Sequence, residues 1–311
     1  MNSGQLKGHA AMLGANALWG VMAPVIKTVI AGGAVSTLMM TNFRIIGAAA
    51  LFWLTSAFVK HEHVPAGDLL RLAGAALLGI VFNQGCYVTG VGYTSPGEAS
   101  IVTTTMPMWV MLLAAIILKE PITWKKAGGI ALGACGTITL VFAGRATAID
   151  GSNPVLGDVL VLTAQLSYAL YLTFYRNFIR KYSVVTLMKW MFTFAAIAVL
   201  PVSADEYLTT PWLALTATET AGIVYVVAGS TFLAYILVMT GQKHLRPTLV
   251  GMYNYTQPVV ASLVGVCLGL DRFTPMKIAA VILIFAGVYL VTISRAATNI
   301  QQSTYNKSKK S

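Results

Sequence analysis

Long apolar runs separated by short polar breaks dominate the pattern along the chain. A helix that spans a bilayer needs about 20 mostly apolar residues. Open strands are excluded because nothing in hydrocarbon would pair with the hydrogen-bonding groups at their edges. The pattern therefore predicts an all-α polytopic membrane protein with ten transmembrane helices. The runs are 10–31, 36–59, 69–91, 98–118, 127–144, 159–175, 184–202, 220–240, 248–270 and 275–293.

Composition and charge agree with a membrane protein and argue against other classes. Hydrophobic residues make up 57% of the 311 residues and charged residues only 10%, whereas soluble domains carry about 25% charged residues. The net charge of +11 would suit a nucleic-acid partner. However, the Lys and Arg residues occur in short clusters between apolar runs, so we expect a lipid bilayer and no nucleic acid. The three cysteines lie singly inside apolar runs, and we expect no metal and no cofactor.

The distribution of Lys and Arg predicts the orientation in the membrane, because cytoplasmic loops carry the excess of these residues. With the N-terminus inside, three of the 21 fall in outer loops and three within apolar runs, and the other fifteen fall at the cytoplasmic side. The outer three are Arg145, Arg272 and Lys277. Both termini are therefore expected to be cytoplasmic. The lack of a long polar domain suits a bacterial inner (plasma) membrane.

An internal repeat divides the chain into two five-helix halves, 8–144 and 157–295, followed by a basic cytoplasmic tail, 296–311. Matched positions are 151 residues apart in the later helices and 149 apart near the start of each half. Because each copy contains an odd number of helices, the second copy must cross the membrane upside down, as in many secondary transporters. Matched pairs include Pro96 with Pro247, Pro107 with Pro258, Glu120 with Asp271, Asn16 with Gln165, and Trp19 with Tyr168.

Each half also carries a helix with a proline in mid-membrane, a short loop with an acid, and then a helix that contains glycine. The segments are Thr105-Met106-Pro107, Lys119-Glu120-Pro121-Ile122-Thr123 and Gly128 to Gly136 in the first half, and Thr256-Gln257-Pro258, Leu270-Asp271-Arg272-Phe273-Thr274 and Gly287 in the second. This arrangement resembles the EamA-like transporters of the drug/metabolite transporter superfamily. The resemblance implies ten helices in two inverted halves around a central cavity, and export of amino acids or other small metabolites.

The ninth predicted helix carries the densest group of polar residues. Asn254 and Gln257 are three residues apart and therefore share a helical face, with Tyr253 beside them. Pro258 removes a backbone donor one turn after Asn254 and so leaves a carbonyl without its usual partner. Polar groups in hydrocarbon are expensive unless they are paired or face a cavity. These residues are therefore expected to bind a small polar solute, although they could instead bond neighbouring helices.

Other intramembrane polar and aromatic residues complete the expected substrate-binding set. Asn16 precedes Trp19 by three residues and Gln165 precedes Tyr168 by three, so each amide shares a face with an aromatic ring. Pro107 is the counterpart of Pro258, and both are expected to act as hinges or kinks. Aromatic and Thr positions of this kind also occur in ordinary packing. The remaining members of the set are Asn83, Tyr87, Tyr235 and Thr104.

Charged residues within or beside the runs admit two roles. Arg44 lies nine residues into the second run, where it could attract an anionic group of the solute or bond carbonyls and hold the outer vestibule. Lys189 enters from the cytoplasmic end and is expected to snorkel to the surface. Glu120 stands in a loop beside lysines, where we expect it to fix loop geometry.

The chain offers no acid or histidine at the predicted membrane midplane, and Glu98, at the outer start of the fourth run, is the nearest candidate. A proton relay normally uses such groups, and the chain also lacks a GxxxxGK[ST] loop for ATP. The sequence thus predicts a monomeric secondary transporter that moves a neutral or zwitterionic small solute by alternating access, as a facilitator or exchanger. Alternatives are a nucleotide-sugar or sugar-phosphate carrier and a non-transporting membrane protein. An intramembrane enzyme is disfavoured, because a nucleophile would lack a base.

Overall fold

The structure is a computed structural model that describes residues 3–93, 102–103, 105–143, 154–267 and 274–294. Within these ranges the regular elements are helices, and Thr104, Glu98 and the tail 296–311 lie outside them. The helices are α1 (Ser3–Ala31), α2 (Thr37–Ser56), α3 (Ala66–Ala76, continued by Leu77–Phe82 and Asn83–Tyr93), α4 (Met106–Ile117), α5 (Trp124–Ala143), α6 (Pro154–Phe174), α7 (Val184–Val199, continued by Leu200–Val202), α8 (Ala204–Thr209), α9 (Ala217–Val224, continued by Tyr225–Leu233 and Ala234–His244), α10 (Pro247–Met252, Tyr253–Tyr255 and Thr256–Cys267) and α11 (Pro275–Thr292).

Five of these helices are long and apolar enough to cross a membrane. Each coincides with one of the predicted runs, which confirms an all-helical integral membrane architecture. Two shorter apolar helices, Met106–Ile117 and Ile278–Thr292, fall on two further runs. Helix α1 begins at Ser3 rather than at the predicted Ala10, because a helix can continue past the apolar core into the polar interface. The five candidate spans are Thr37–Ser56, Ala66–Gly90, Val155–Phe174, Val184–Val202 and Ala217–His244.

Two long helices change their hydrogen-bond register at mid-length. In α3 the residues Leu77–Phe82 form a π-helical stretch, and in α9 the residues Tyr225–Leu233 do the same. A π-helical turn shifts backbone carbonyls out of the α-helical pattern and is frequent at functional sites. In α10 the change is different, because the short 3₁₀ segment Tyr253–Tyr255 joins its two α-helical parts.

Helices α5 and α11 pack closely through small residues. A Cβ atom added at Gly129 would lie 2.7 Å from the carbonyl oxygen of Gly287, and one added at Gly136 would lie 2.8 Å from that of Ala280. As the number rises along α5, the number of its contact falls along α11, so the two helices run antiparallel. The glycines allow this close backbone approach, which a larger residue would block.

The core of the bundle is made by contacts between early and late helices of the chain. Helix α1 packs against α9 and α10, and α6 packs against α3 and α4. Helix α2 packs against α7, and α4 against the first part of α10. The buried faces of the early helices therefore lie mainly against late helices, and the polar residues considered next lie at this shared boundary.

Candidate functional site

Polar side chains of α1 and α10 meet inside the bundle, and three of them belong to the predicted substrate-binding set. Asn16 is 0% exposed and its Oδ1 accepts a hydrogen bond of 2.9 Å from Nε2 of Gln257. The same Nε2 lies 3.3 Å from Oδ1 of Asn254. Nδ2 of Asn16 donates to the carbonyl of Met12 in its own helix, at 2.7 Å. The structure thus joins the first and ninth predicted spans through an amide chain.

Tyr253 points away from this amide chain. Its hydroxyl lies 2.6 Å from Nδ1 of His9, so it connects α10 to the beginning of α1. Pro258 follows the 3₁₀ segment, and the hydroxyl of Thr256 donates to the carbonyl of Tyr253 at 2.7 Å, which satisfies one backbone group near the break. Pro107 stands in the first turn of α4, where its missing N–H is not needed.

A second cluster gathers around Tyr235 of α9. Nε2 of Gln84 donates to its hydroxyl at 2.6 Å. The ring of Trp19 stands edge-on to the ring of Tyr235, with centroids 5.9 Å apart. The indole N–H of Trp19 donates to the carbonyl of Ser230 at 2.9 Å, in the π-helical part of α9. The irregular helix thus supplies a backbone acceptor to a predicted site residue, and α1, α3 and α9 converge here.

Arg44 of α2 belongs to the same region. Its side chain is buried, with 6% exposure, and its Nε donates to the hydroxyl oxygen of Thr231 at 3.1 Å. The Thr231 hydroxyl donates in turn to the carbonyl of Val226 at 2.8 Å. Within the described residues Arg44 has no ion pair. The structure therefore places this cation inside the bundle beside the π-helical stretch.

The other predicted site residues on α3 and α6 mostly contact neighbouring helices. On α6, the hydroxyl of Tyr168 accepts a 3.2 Å hydrogen bond from Gln242 of α9, and Gln165 is buried on the same helix. Asn83 donates to the carbonyl of Ala164 at 3.0 Å, which is a helix-to-helix bond. Tyr87 is 36% exposed and stands at the edge of the bundle.

The expectation that Lys189 snorkels to the surface is wrong. Its side chain is only 6% exposed, and its Nζ lies 4.5 Å from the ring centroid of Trp53 and 5.6 Å from that of Trp190. Aromatic faces attract a cation through their quadrupole, and more strongly where water is excluded. The ammonium group therefore stays between two tryptophans instead of reaching for the interface.

A buried ionic cluster lies at one end of the bundle, as expected for Glu120. Its Oε2 lies 2.8 Å from Nζ of Lys126 and its Oε1 3.2 Å from Arg176. The hydroxyl of Thr248 donates to the carboxylate at 3.3 Å, and Lys126 also donates to the carbonyl of Pro121 at 3.2 Å. One carboxylate thus ties the α4–α5 loop to α5, to the end of α6 and to the start of α10.

Sequence reasoning missed three residues that support the site. Ser230 and Thr231 looked unremarkable, because Ser and Thr commonly bond their own helix backbone. Gln242 lies just beyond the predicted end of its run, yet it is buried between α6 and α9. An amide close to the end of an apolar run is the sequence signal that could have identified it. Within the described residues no group of His, Cys, Asp and Glu could hold a metal ion.

The fold and the site together define a class of protein. Five of the described helices are apolar and long enough to cross a bilayer, yet amides, tyrosines and one arginine converge between helices of the bundle. Polar groups in such a position are costly unless they serve a pathway or a binding site. The molecule is an integral membrane protein with a polar interior that is suited to small solutes.

The chain belongs to the EamA-like transporter family, which is part of the drug/metabolite transporter superfamily. The sequence profile of this family matches residues 6–142 and again residues 155–293. An uncharacterized transporter of Archaeoglobus fulgidus is 25% identical, over 76% of this chain and 80% of that protein. The protein PecM of Dickeya dadantii is 26% identical, over 73% and 75% of the two chains. The protein is therefore a transporter and not an enzyme, and its partners are a small-molecule solute and the lipid bilayer.

Two further comparisons agree with this assignment. A WAT1-related protein of Arabidopsis thaliana is 23% identical, over 85% of this chain and 80% of that protein. A protein of known crystal structure superimposes with a TM-score of 0.76 at 21% sequence identity, covering 94% of this chain and 96% of the other. At this level of identity the similarity to the solved structure concerns the fold.

Proposed function

We propose that the protein exports amino acids or similar neutral or zwitterionic metabolites by alternating access, as a facilitator or exchanger. In this proposal ten transmembrane helices form two inverted repeats, 8–144 and 157–295. The unit is a single chain in a bacterial inner membrane, with both termini in the cytoplasm. The solute binds between the repeats.

Contacts between helices support the inverted repeat. Gly90 of α3 faces the backbone of Gly157 in α6, and Gly241 of α9 faces the backbone of Gly8 in α1. The first pair maps onto the second with the repeat offsets of 151 and 149 residues. The π-helical stretches of α3 and α9 occupy matching positions as well, and the matched helices α5 and α11 run antiparallel. Antiparallel equivalent helices are what an inverted second copy requires.

The observation that carries the proposal is the amide chain between the two halves. Asn16 belongs to the first half, and Gln257 and Asn254 belong to the second. Amides both donate and accept hydrogen bonds, so they suit the ammonium group and other polar groups of a small metabolite. Trp19 and Tyr235 add aromatic surface one helical turn further along. Sites of transporters with inverted repeats lie at such a boundary near the midplane.

The cations of the described interior favour this cargo over a sugar phosphate. Phosphate recognition calls for several Arg or Lys side chains around one group. Lys126 is committed to Glu120, and Lys189 lies over tryptophan rings. Arg44 alone would provide too little charge for a nucleotide sugar.

The test is flux into liposomes that contain the purified full-length protein, with a panel of labelled amino acids, with and without a pH gradient. We expect uptake that equilibrates without the gradient. Asn254→Ala and Gln257→Ala are expected to lower the flux about 5- to 30-fold, because each removes a hydrogen bond worth roughly 1–2 kcal/mol to a buried polar solute. Asn177→Ala, at an exposed loop position, is the matched control and should retain wild-type flux.

The possible results separate the parts of the proposal. Accumulation above equilibrium that needs the pH gradient would contradict the facilitator mechanism and leave the substrate class intact. Normal flux in both α10 variants would remove the amide chain from the binding site. Absence of flux for every amino acid would contradict the substrate class.

A further inference from the structure

Polar groups around Arg44 and Tyr235 have hydrogen-bonding capacity that the described residues do not use. The hydroxyl of Tyr235 accepts a hydrogen bond from Gln84, so its own proton remains available to an acceptor. Arg44 uses Nε to reach Thr231, and within the described residues its terminal nitrogens have no hydrogen bond. Oε1 of Gln84 is also buried without a hydrogen-bond partner among these residues. Three converging groups therefore retain hydrogen-bonding capacity.

The charge of Arg44 is likewise unbalanced within the described part of the chain. A buried guanidinium normally pairs with a carboxylate, as Arg176 does with Glu120, because an unpaired ion inside a bundle is strongly disfavoured. The group that Arg44 contacts is the neutral hydroxyl of Thr231, at 3.1 Å, which lies one helical turn before Tyr235 on α9. A neutral hydroxyl does not compensate a full positive charge. The anion that does so must come from outside the described residues.

We propose that Arg44 and Tyr235 form the subsite for a carboxylate group of the transported solute, with Gln84 as the positioning residue for Tyr235. This assignment rests on the proposed transport function and specifies its cargo as a carboxylate-bearing molecule. The guanidinium donates to one carboxylate oxygen and the tyrosine hydroxyl to the other. Oε1 of Gln84 belongs to the amide that bonds Tyr235 and has no hydrogen-bond partner among the described residues, so it is a further acceptor at the subsite.

Aromatic rings lie beside Tyr235 at the proposed subsite. The ring of Tyr235 is flanked by Trp19, at 5.9 Å between centroids, and by Phe192, at 5.0 Å. Both contacts are edge-on, and the two neighbouring rings are uncharged. A carboxylate in such low-dielectric surroundings interacts with a guanidinium more strongly than it would in water.

The first test requires no variant. Liposomes with the full-length protein are loaded with each labelled amino acid that crosses, and the unlabelled amino acid and its carboxamide are compared as competitors. The carboxamide keeps the side chain and the amino group but cannot carry the negative charge. We expect it to compete about 10- to 100-fold less well, which corresponds to the loss of a hydrogen bond to a charged group.

Variants then identify the residue. Arg44→Gln should lower amino-acid flux about 10- to 100-fold and abolish the discrimination between acid and carboxamide, whereas Arg44→Lys should keep part of both. Tyr235→Phe should weaken the discrimination by a smaller factor. Lys189→Gln is the matched control, because it removes another cation with 6% exposure, and its flux and discrimination should stay within about twofold of wild type.

Each outcome decides the assignment. Equal competition by acid and carboxamide, or wild-type discrimination in Arg44→Gln, would overturn the carboxylate subsite while transport itself stands. If no solute in the panel moves, the proposed function fails first, and the subsite falls with it.

Discussion

Lys126 and Arg44 are both buried cations, but their surroundings differ. Lys126 is 1% exposed and has the carboxylate of Glu120 at 2.8 Å and a backbone carbonyl at 3.2 Å. Arg44 is 6% exposed and bonds one neutral hydroxyl. The first cation is compensated at the end of the bundle, where loops meet. The second has no compensating anion among the residues that the structure describes.

The difference separates a structural role from a binding role. A buried ion pair contributes little net stability, but loss of one partner is severe because the other charge remains buried. An ion without a partner lowers stability in the absence of a ligand and strengthens binding of a ligand that supplies the opposite charge. The Glu120 cluster therefore holds helices together, whereas the role proposed for the Arg44 cluster is to bind the solute.

The largest effect is expected when the compensated pair is broken. Glu120→Gln should lower the free energy of unfolding by about 3–5 kcal/mol, because the ammonium of Lys126 stays buried without a carboxylate. Thermal unfolding of the purified protein in detergent would measure this loss. Asp205→Asn, at an exposed position, should leave the unfolding temperature unchanged.

A second variant separates charge from packing in that cluster. Glu120→Gln combined with Lys126→Met removes both ions and should recover most of the lost stability, since apolar groups of similar volume replace buried pairs at little cost. Arg176 loses its partner too, but its side chain is 23% exposed and can be hydrated. Failure of the double variant to recover would mean that shape, rather than charge, holds this end together.

An intermediate effect of opposite sign is expected at the uncompensated cation. Arg44→Gln should leave the free energy of unfolding unchanged or raise it by up to about 2 kcal/mol, because an unpaired buried charge is removed. The same thermal unfolding measurement applies, with Lys189→Gln alongside. A loss of 3 kcal/mol or more would show that Arg44 holds the fold, and would erase the distinction between the two cations.

The smallest effect concerns Glu62, whose carboxylate lies in a partly exposed loop. Its Oε2 accepts from the backbone N–H of Ser183 at 2.9 Å, the residue that caps α7. Burial tends to raise the pKa of Glu62, but hydrogen bonds from Thr186 and Ser183 outweigh it and hold the pKa below its usual value. A lowered pKa means that this contribution is present above about pH 4.5 and is lost as pH falls through the folded-state value.

The corresponding variant is Glu62→Gln, followed by thermal unfolding between pH 3.5 and pH 7. It should cost less than about 1 kcal/mol at pH 7, because solvent screens a partly exposed carboxylate. It should also flatten part of the acid-induced loss of stability that the wild type shows. An unchanged pH profile in the variant would mean that the cap contributes nothing measurable.

Much of the architecture could be predicted because the bilayer imposes one dominant constraint. Apolar runs located the five candidate spans within a few residues. The loop acid Glu120 was expected to fix loop geometry, and the structure gives it three partners. Snorkelling of Lys189 was predicted wrongly, because sequence distance to a helix end does not reveal that Trp53 lies beside it from another helix.

The candidate site was predictable in its residue types and not in its connections. A polar residue in an apolar run must find a partner or a cavity, so Asn16, Gln257 and Arg44 could be singled out from sequence. Which partner each one found depends on helix rotation and register. For this reason Tyr253 bonds His9 rather than the amide chain, although its neighbours predicted otherwise.

The sequence by itself determined the helical class, the candidate spans and the membership of a transporter family, because these follow from hydropathy along the chain and from local motifs. The tertiary structure decided which buried charges are compensated. Lys126 and Glu120 are close in sequence and meet at a loop, whereas Arg44 and Tyr235 are nearly two hundred residues apart. Their proximity depends on the packing of α2 against α9, including its π-helical stretch, and no local pattern encodes that contact.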